Sequence, residues 1–271
     1  MDLQLAKRTA LVTGSSSGIG QSIAATLAKE GVTLVLHGRD RKRAEVGANG
    51  IRAAGGTAFV ALGDLATDAG AAIVLDVVQS ALGSAPDILV NNAGGGDGEV
   101  RTWESGSLQD WHNSFEQNLF SVVRLIKAFA PEMKTKGWGR IINIATGWSI
   151  APATVLPYYS AAKSALLNTT VSLAQEFAGT GVTVNTISPG PIRTPTLESV
   201  IRRVAAQREW GTDHWDEMEQ RFAKEVVPTL VGRIGRVEEV AAAVAFLAST
   251  LSGFTTGAHL RVDGGNIRSI L

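Results

Sequence analysis

Short β-branched runs recur along this chain, each followed by a longer stretch with apolar residues at helical spacing. "TALVTG", "VTLVLHG", "TAFVAL" and "DILVNNAG" read as buried strands; "IGQSIAATLAKEG", "RKRAEVGANGIRAAG" and "AGAAIVLDVVQSALG" lie between them, each with a glycine near its end. The pattern continues with a helix around "DWHNSFEQNLFSVVRLIKAFAPEMK", a strand "RIINIAT", a helix from about Tyr158 to Ala178 and a strand "VTVNTIS". An irregular and helical segment to about Val227, a helix at "RVEEVAAAVAFLAS" and a last strand "HLRVDGG" close it. Such alternation predicts an α/β fold with a parallel sheet and helices on both faces. Ligands of such sheets lie outside the carboxyl ends of the strands, where strand order reverses.

No repeat or low-complexity linker divides the 271 residues, so one domain over 1–271 is expected. Apolar residues make up 45% and charged residues 18%, a globular composition. Lys plus Arg equals Asp plus Glu at 25 each, with no long basic run, which argues against nucleic acid or a membrane surface and for a small-molecule partner. There is no cysteine, and His37, His112, His214 and His259 lack ligand-like spacing, so no metal site is expected. "MDLQLAKRTALVTG" has no basic region leading into an apolar one, so no secretory signal and a cytoplasmic location are expected. Two uncharged stretches, "IINIATGWSIAPATVLPYYSAA" and "VAAAVAFLASTLSGFTTGAHL", have membrane-spanning length, but their Pro, Gly, Ser and Thr punctuation fits successive short elements.

The first strand ends in "TGSSSGIG", Thr13 to Gly20, and runs into a helix. Glycines there let the backbone approach a pyrophosphate, which the free N–H groups of the helix start attract. The spacing is G-x-x-x-G-x-G rather than G-x-G-x-x-G. With "NNAG" (Asn91 to Gly94), "YSAAK" (Tyr159 to Lys163), "SPGPIRT" and "GRIGRVEEVAAAVAFLAS…TTGAHLRVDGG", the chain resembles the short-chain dehydrogenase/reductase family from Thr9 to about Gly265. Within it the chain is similar to compact members of the bacterial 3-oxoacyl-carrier-protein reductase kind. The resemblance implies a Rossmann-like, doubly wound parallel sheet of about seven strands, a nicotinamide cofactor, and a homodimer or homotetramer, of which the tetramer is expected.

Tyr159 and Lys163, four apart, project from one helix face. A free phenol has a pKa near 10, and a fixed ammonium favours the phenolate. The resemblance implies that Tyr159 exchanges a proton with the substrate oxygen and that Lys163 also binds the nicotinamide ribose. It implies further that Asn118 holds a water in the proton relay. Where family members usually carry serine, thirteen residues before Tyr159, this chain has Thr146, with Ser149 as competitor for the role of hydroxyl donor. Tyr158 is the lesser candidate base, because Ala162 four residues on has no charge.

For the cofactor, the resemblance implies Gly14, Ser16, Ser17, Gly18, Ile19 and Gly20 around the phosphates, with Asp64 and Leu65 at the adenine. Asn91, Ala93 and Gly94 are implied beside the adenine ribose, and Pro189, Gly190, Ile192 and Thr194 at the carboxamide. A carboxylate after the second strand would bind the ribose hydroxyls of NAD and repel the extra phosphate of NADP. Here "LHGRD" puts Gly38 in that position and Arg39 next, so NADP(H) is expected over NAD(H), with Arg41 or Arg43 adding field and Asp40 opposing. Residues from about 196 to 228 contain Trp210 and Trp215 and suggest a substrate lid. The expected activity is hydride transfer between nicotinamide and a carbonyl or secondary alcohol. A catalytically silent cofactor-binding sensor is the alternative; an epimerase or dehydratase would need a larger substrate domain.

Overall fold

The computed structural model describes residues 2–96 and 100–269. Seven strands, β1 (Thr9–Val12), β2 (Thr33–Gly38), β3 (Ala58–Leu62), β4 (Ile88–Asn91), β5 (Gly139–Ile144), β6 (Val182–Pro189) and β7 (His259–Val262), form one sheet in the order β3-β2-β1-β4-β5-β6-β7. All pairings are parallel. The helices are α1 (Gly18–Lys29), α2 (Arg41–Ala53), α3 (Asp68–Leu82), α4 (Leu108–Phe115), α5 (Ser121–Lys136), α6 (Pro157–Glu176), α7 (Pro195–Gln207), α8 (Trp215–Arg221) and α9 (Val237–Ala248).

Residue alternation within the strands builds two cores. Ala10, Val12, Leu34, Leu36, Ile88, Val90 and Ile142 pack on one face against α1, α2 and α9. Their neighbours Leu11, Val35, Leu89 and Ile141 pack on the other against α3, α5 and α6. Burial of each such Leu, Ile or Val side chain contributes roughly 1.5–3 kcal/mol. The parallel sheet with helices on both faces is what the alternation predicts, and its Rossmann-like, doubly wound order is what the family resemblance implies. Strand order reverses between β1 and β4, which fixes the ligand crevice at their carboxyl ends.

Three features depart from a simple alternation. The run expected as one long helix is interrupted by a π-helical turn, Glu116–Phe120, between α4 and α5. Residues 196–228 form α7, α8 and a second π turn, Phe222–Val226, and carry an apolar cluster of Ile201, Trp210, Met218 and Phe222, which Ile234 from beyond the segment joins. The two uncharged stretches are divided, the first among β5, a 3-10 turn at Gly147–Ser149 and α6, the second among α9, a 3-10 turn at Thr250–Ser252 and β7. Among the described residues no helix is long and apolar enough to cross a membrane.

Candidate active site

A cleft of about 900 Å³ opens at the carboxyl ends of β1 and β4. Gly14, Ser16, Ser17, Gly18, Ile19 and Gly20 form one wall. Gly14 has φ 62°, and a Cβ there would stand 2.9 Å from Ala93 Cα, so only glycine lets the loop after β1 lie against the loop after β4. Ser17, the N-cap of α1, makes no side-chain cap, which leaves the first N–H groups of the helix facing the cleft for an anion. These features fit the pyrophosphate of a dinucleotide.

The loop after β4 is tied to the glycine loop by two residues. Thr13 Oγ1 accepts from the backbone N–H of Asn92 and of Ala93, both at 2.9 Å. Asn92 Nδ2 donates to Thr13 O at 2.8 Å and to Gly14 O at 3.1 Å. Asn92, Ala93 and Gly94 line the cleft. Asn91 does not: as the last residue of β4 it turns into the sheet and donates to Asn143 Oδ1 at 2.8 Å. Ile192 also lies off this cleft, buried in the core, where it bridges to Gly235 and borders a smaller cavity. Asp64, Leu65, Pro189, Gly190 and Thr194 line the main cleft.

At the opposite wall, Pro157 opens α6 at its first position, where a fixed φ and a missing N–H are tolerated. The helix presents Tyr159 and Lys163 to the cleft together with Thr146 from the end of β5. Lys163 is buried and donates through Nζ to Ile144 O at 2.8 Å. Burial brings its ammonium down to about 8. Burial pushes the Tyr159 phenol up to about 12, against a smaller lowering by its hydrogen bond with Thr146. The ammonium was expected to lower the phenol. In the protein alone desolvation outweighs any such effect, and the phenol is neutral at pH 7.

Tyr158 points away and packs its ring edge-on to Trp111, centroids 6.2 Å apart. Ser149 lies in the 3-10 turn, buried off the cleft, and its Oγ has no hydrogen-bond partner among the described residues. Thr146 therefore holds the position beside the phenol. Asn118 sits at the centre of the first π turn, fully buried, and its amide is engaged with Gly95 and Ser114 rather than with solvent. Gly94, φ 145°, passes so close that a Cβ would stand 2.6 Å from Asn118 Oδ1 and 3.2 Å from Lys163 Nζ.

Where β2 ends, Arg39 and Arg43 border the cleft while Asp40 is turned back, accepting from Arg43 N at 3.1 Å as the N-cap of α2. Among the described residues no group of three His, Asp or Glu is placed to hold a metal ion.

Residues 8–204 match the family model described as short chain dehydrogenase. The chain belongs to this family. A relative, the uncharacterized oxidoreductase YvaG of Bacillus subtilis, is 37% identical over 273 residues, covering 100% of both chains. Among solved structures, L-sorbose reductase from Gluconobacter frateurii, complexed with NADPH and L-sorbose, superposes with a TM-score of 0.92 at 33% identity, covering 100% of both chains. A 7α-hydroxysteroid dehydrogenase complexed with NADH and 7-oxo glycochenodeoxycholic acid superposes with a TM-score of 0.86 at 29% identity, covering 100% of this chain and 98% of that one. As a short chain dehydrogenase, this chain is a nicotinamide-dependent oxidoreductase acting on CH–OH or C=O groups.

Within this short chain dehydrogenase, several residues of the cleft escaped the sequence reading. Thr13 and Asn92 carry the loop-to-loop ties, and Gly95 and Gln117 border the cleft beside Asn118. His37 fills the floor below Gly14. Its signal was visible as an ionisable residue within the apolar run "TLVLHG".

Proposed function

We propose that the chain is one domain over residues 1–271 that moves a hydride between NADP(H), in preference to NAD(H), and a ketone or secondary alcohol, with Tyr159 as general acid and base. The observation that carries this reading is the juxtaposition, on the wall opposite the glycine loop, of Tyr159 and Lys163 on one helix face with the Thr146 side chain beside them. A bound nicotinamide supplies or accepts the hydride. In the reductive direction the Thr146 hydroxyl donates to the carbonyl oxygen and Tyr159 Oη hands that oxygen its proton as negative charge develops. Oxidation runs the same proton back to the phenolate. Lys163, whose ammonium burial brings down to about 8, restores the proton to the phenol and holds the nicotinamide ribose.

Arg39 supports the NADP(H) preference, because a guanidinium at the end of β2 with Asp40 turned into its own helix cap favours a phosphate there. A homotetramer is the proposed assembly. The test is the nicotinamide absorbance with NADPH or NADH and a panel including a ketose and an oxo-steroid, the substrate kinds bound by the two solved relatives. Turnover with NADPH is expected, with Arg39→Ala weakening NADPH by tenfold or more and NADH by far less. Binding without turnover across the panel would favour the sensor; equal losses would remove the phosphate role of Arg39.

A further inference from the structure

The imidazole of His37 joins the ends of three strands. It is the penultimate residue of β2, 3% exposed. Its Nε2 lies 3.0 Å from Gly63 O, after β3, and its Nδ1 lies 3.1 Å from Gly14 N, after β1. A carbonyl oxygen only accepts and an amide N–H only donates, so Nε2 carries the hydrogen and Nδ1 the lone pair. Two further bonds fasten the same junction through groups that do not titrate: His37 N donates to Ser15 Oγ at 2.9 Å, and Ser15 N donates to His37 O at 2.9 Å.

We propose that His37, held in its neutral Nε2–H form, positions the glycine loop for the cofactor, and that protonating the ring releases Gly14 and weakens cofactor binding. The proposal rests on the cofactor-binding reading above. An imidazolium has no acceptor, so its Nδ1–H would face the Gly14 N–H across a buried gap. Gly14 in turn touches the loop after β4 and starts the wall formed by Ser16 to Gly20, so a shift there moves donors intended for phosphate.

The charged groups around the ring oppose one another. Arg39 at the end of β2 disfavours the imidazolium and Asp64 after β3 favours it, while Arg43 of α2 borders the same cleft. Burial is the largest influence and lowers the ring below the usual histidine value. Because the binding-competent loop needs the neutral ring, the cofactor-bound state takes up fewer protons than the free protein. Affinity therefore falls as pH drops through the ring's pKa, by up to about tenfold per pH unit below it.

Calorimetric titration of NADPH at pH 5.5 and 7.5, for wild type, His37→Asn and His37→Leu, tests this. Asn presents Oδ1 where Nδ1 stands and accepts from Gly14 N–H without titrating. Its dissociation constant at pH 7.5 should lie within about threefold of wild type, and its loss at pH 5.5 should be smaller than that of wild type, by at most about tenfold because the ring's pKa lies below the usual histidine value; Leu should bind tenfold or more weakly at both. Ionisation of the cofactor's own phosphate enters wild type and His37→Asn alike and cancels in their comparison. Ring ¹⁵N shifts in the cofactor-free protein should report the Nε2–H form of His37. Equal acid losses in wild type and His37→Asn, or an Nδ1–H ring, would overturn the proposal. Failure of wild type to bind either nicotinamide cofactor at pH 7.5 would instead remove the functional reading, with the ring shifts still deciding the tautomer.

Discussion

Asn118 and Gly95 are joined by a reciprocal pair of hydrogen bonds: Gly95 N donates to Asn118 Oδ1 at 2.8 Å, and Asn118 Nδ2 donates to Gly95 O at 3.1 Å. The second amide hydrogen goes to Ser114 O at 3.0 Å. The side chain thus clamps the loop after β4 to the π turn, directly beneath Gly94 and Lys163. Both hydrogens of the amide are taken by protein carbonyls.

Replacing Asn118 by Ala removes the clamp and leaves Gly95 N–H and both carbonyls without it. Urea unfolding should show a loss of about 1–3 kcal/mol, the cost of stranding buried polar groups. Activity should fall more than tenfold, since the loop that Asn118 holds borders Lys163. Unchanged stability would mean that the pair is incidental.

Lys163 is costly to the fold. Its folded pKa, about 8, lies below the ordinary lysine value, so the unfolded chain binds the proton more strongly between the two. Stability should therefore rise with pH from about 8 to about 10.5 from this group alone. Lys163→Met removes the desolvation penalty at the expense of the bond to Ile144 O, and should raise stability on the order of 1 kcal/mol at pH 7, about 2–4 °C in Tm, while abolishing turnover. Calorimetric scans at pH 7 and 10 check both signs. A lower Tm for the variant at pH 7 would contradict them.

Thr146 and Ser149 are separated by their surroundings. Thr146→Ala should lower kcat by about a hundredfold or more, the usual scale for losing one oxyanion donor, and Thr146→Ser should stay active. Ser149→Ala, at a buried hydroxyl off the cleft, should have little effect on kcat. NADPH affinity should change little in all three. Steady-state kinetics with the reverse ranking would reassign the donor.

The sheet was legible in the sequence because buried parallel strands are written as β-branched runs, and Gly14 to Gly20, Tyr159 and Lys163 were legible because their spacing is local. What escaped depends on where elements stop or on distant partners. "NNAG" does not reveal that β4 ends at Asn91, so that Asn91 faces Asn143 and Asn92 faces the cleft. Ile192 is drawn from the cleft by a bridge to Gly235, 43 residues on. The π turn at Asn118 leaves no mark in the sequence pattern, because helical periodicity reads straight through it. The phenol of Tyr159 sits higher than expected because local spacing carries no information about desolvation.

Residues 196–228 offer a separate test. Trp210 is buried in the segment's own cluster, while Trp215 Nε1 donates to Glu219 Oε2 at 2.8 Å. With Thr194 and Thr196 bordering the cleft, we propose that α7 and α8 close over substrate as one packed unit. Hydrogen exchange in this segment should slow when NADPH and substrate bind together. Protection confined to the glycine loop would count against closure.

The measurement that bears most directly on the proposed chemistry is turnover by Tyr159→Phe, with NADPH affinity and the pH profile of the wild type measured alongside. Loss of the general acid should cost about 10²- to 10⁴-fold in kcat with cofactor affinity nearly unchanged. With the wild-type phenol pushed up to about 12, alcohol oxidation should accelerate as pH rises toward it, because the base form grows, while carbonyl reduction shows no such rise. A Tyr159→Phe enzyme that keeps more than a tenth of wild-type kcat, with its alkaline rise in oxidation intact, would contradict the assignment of the proton to Tyr159.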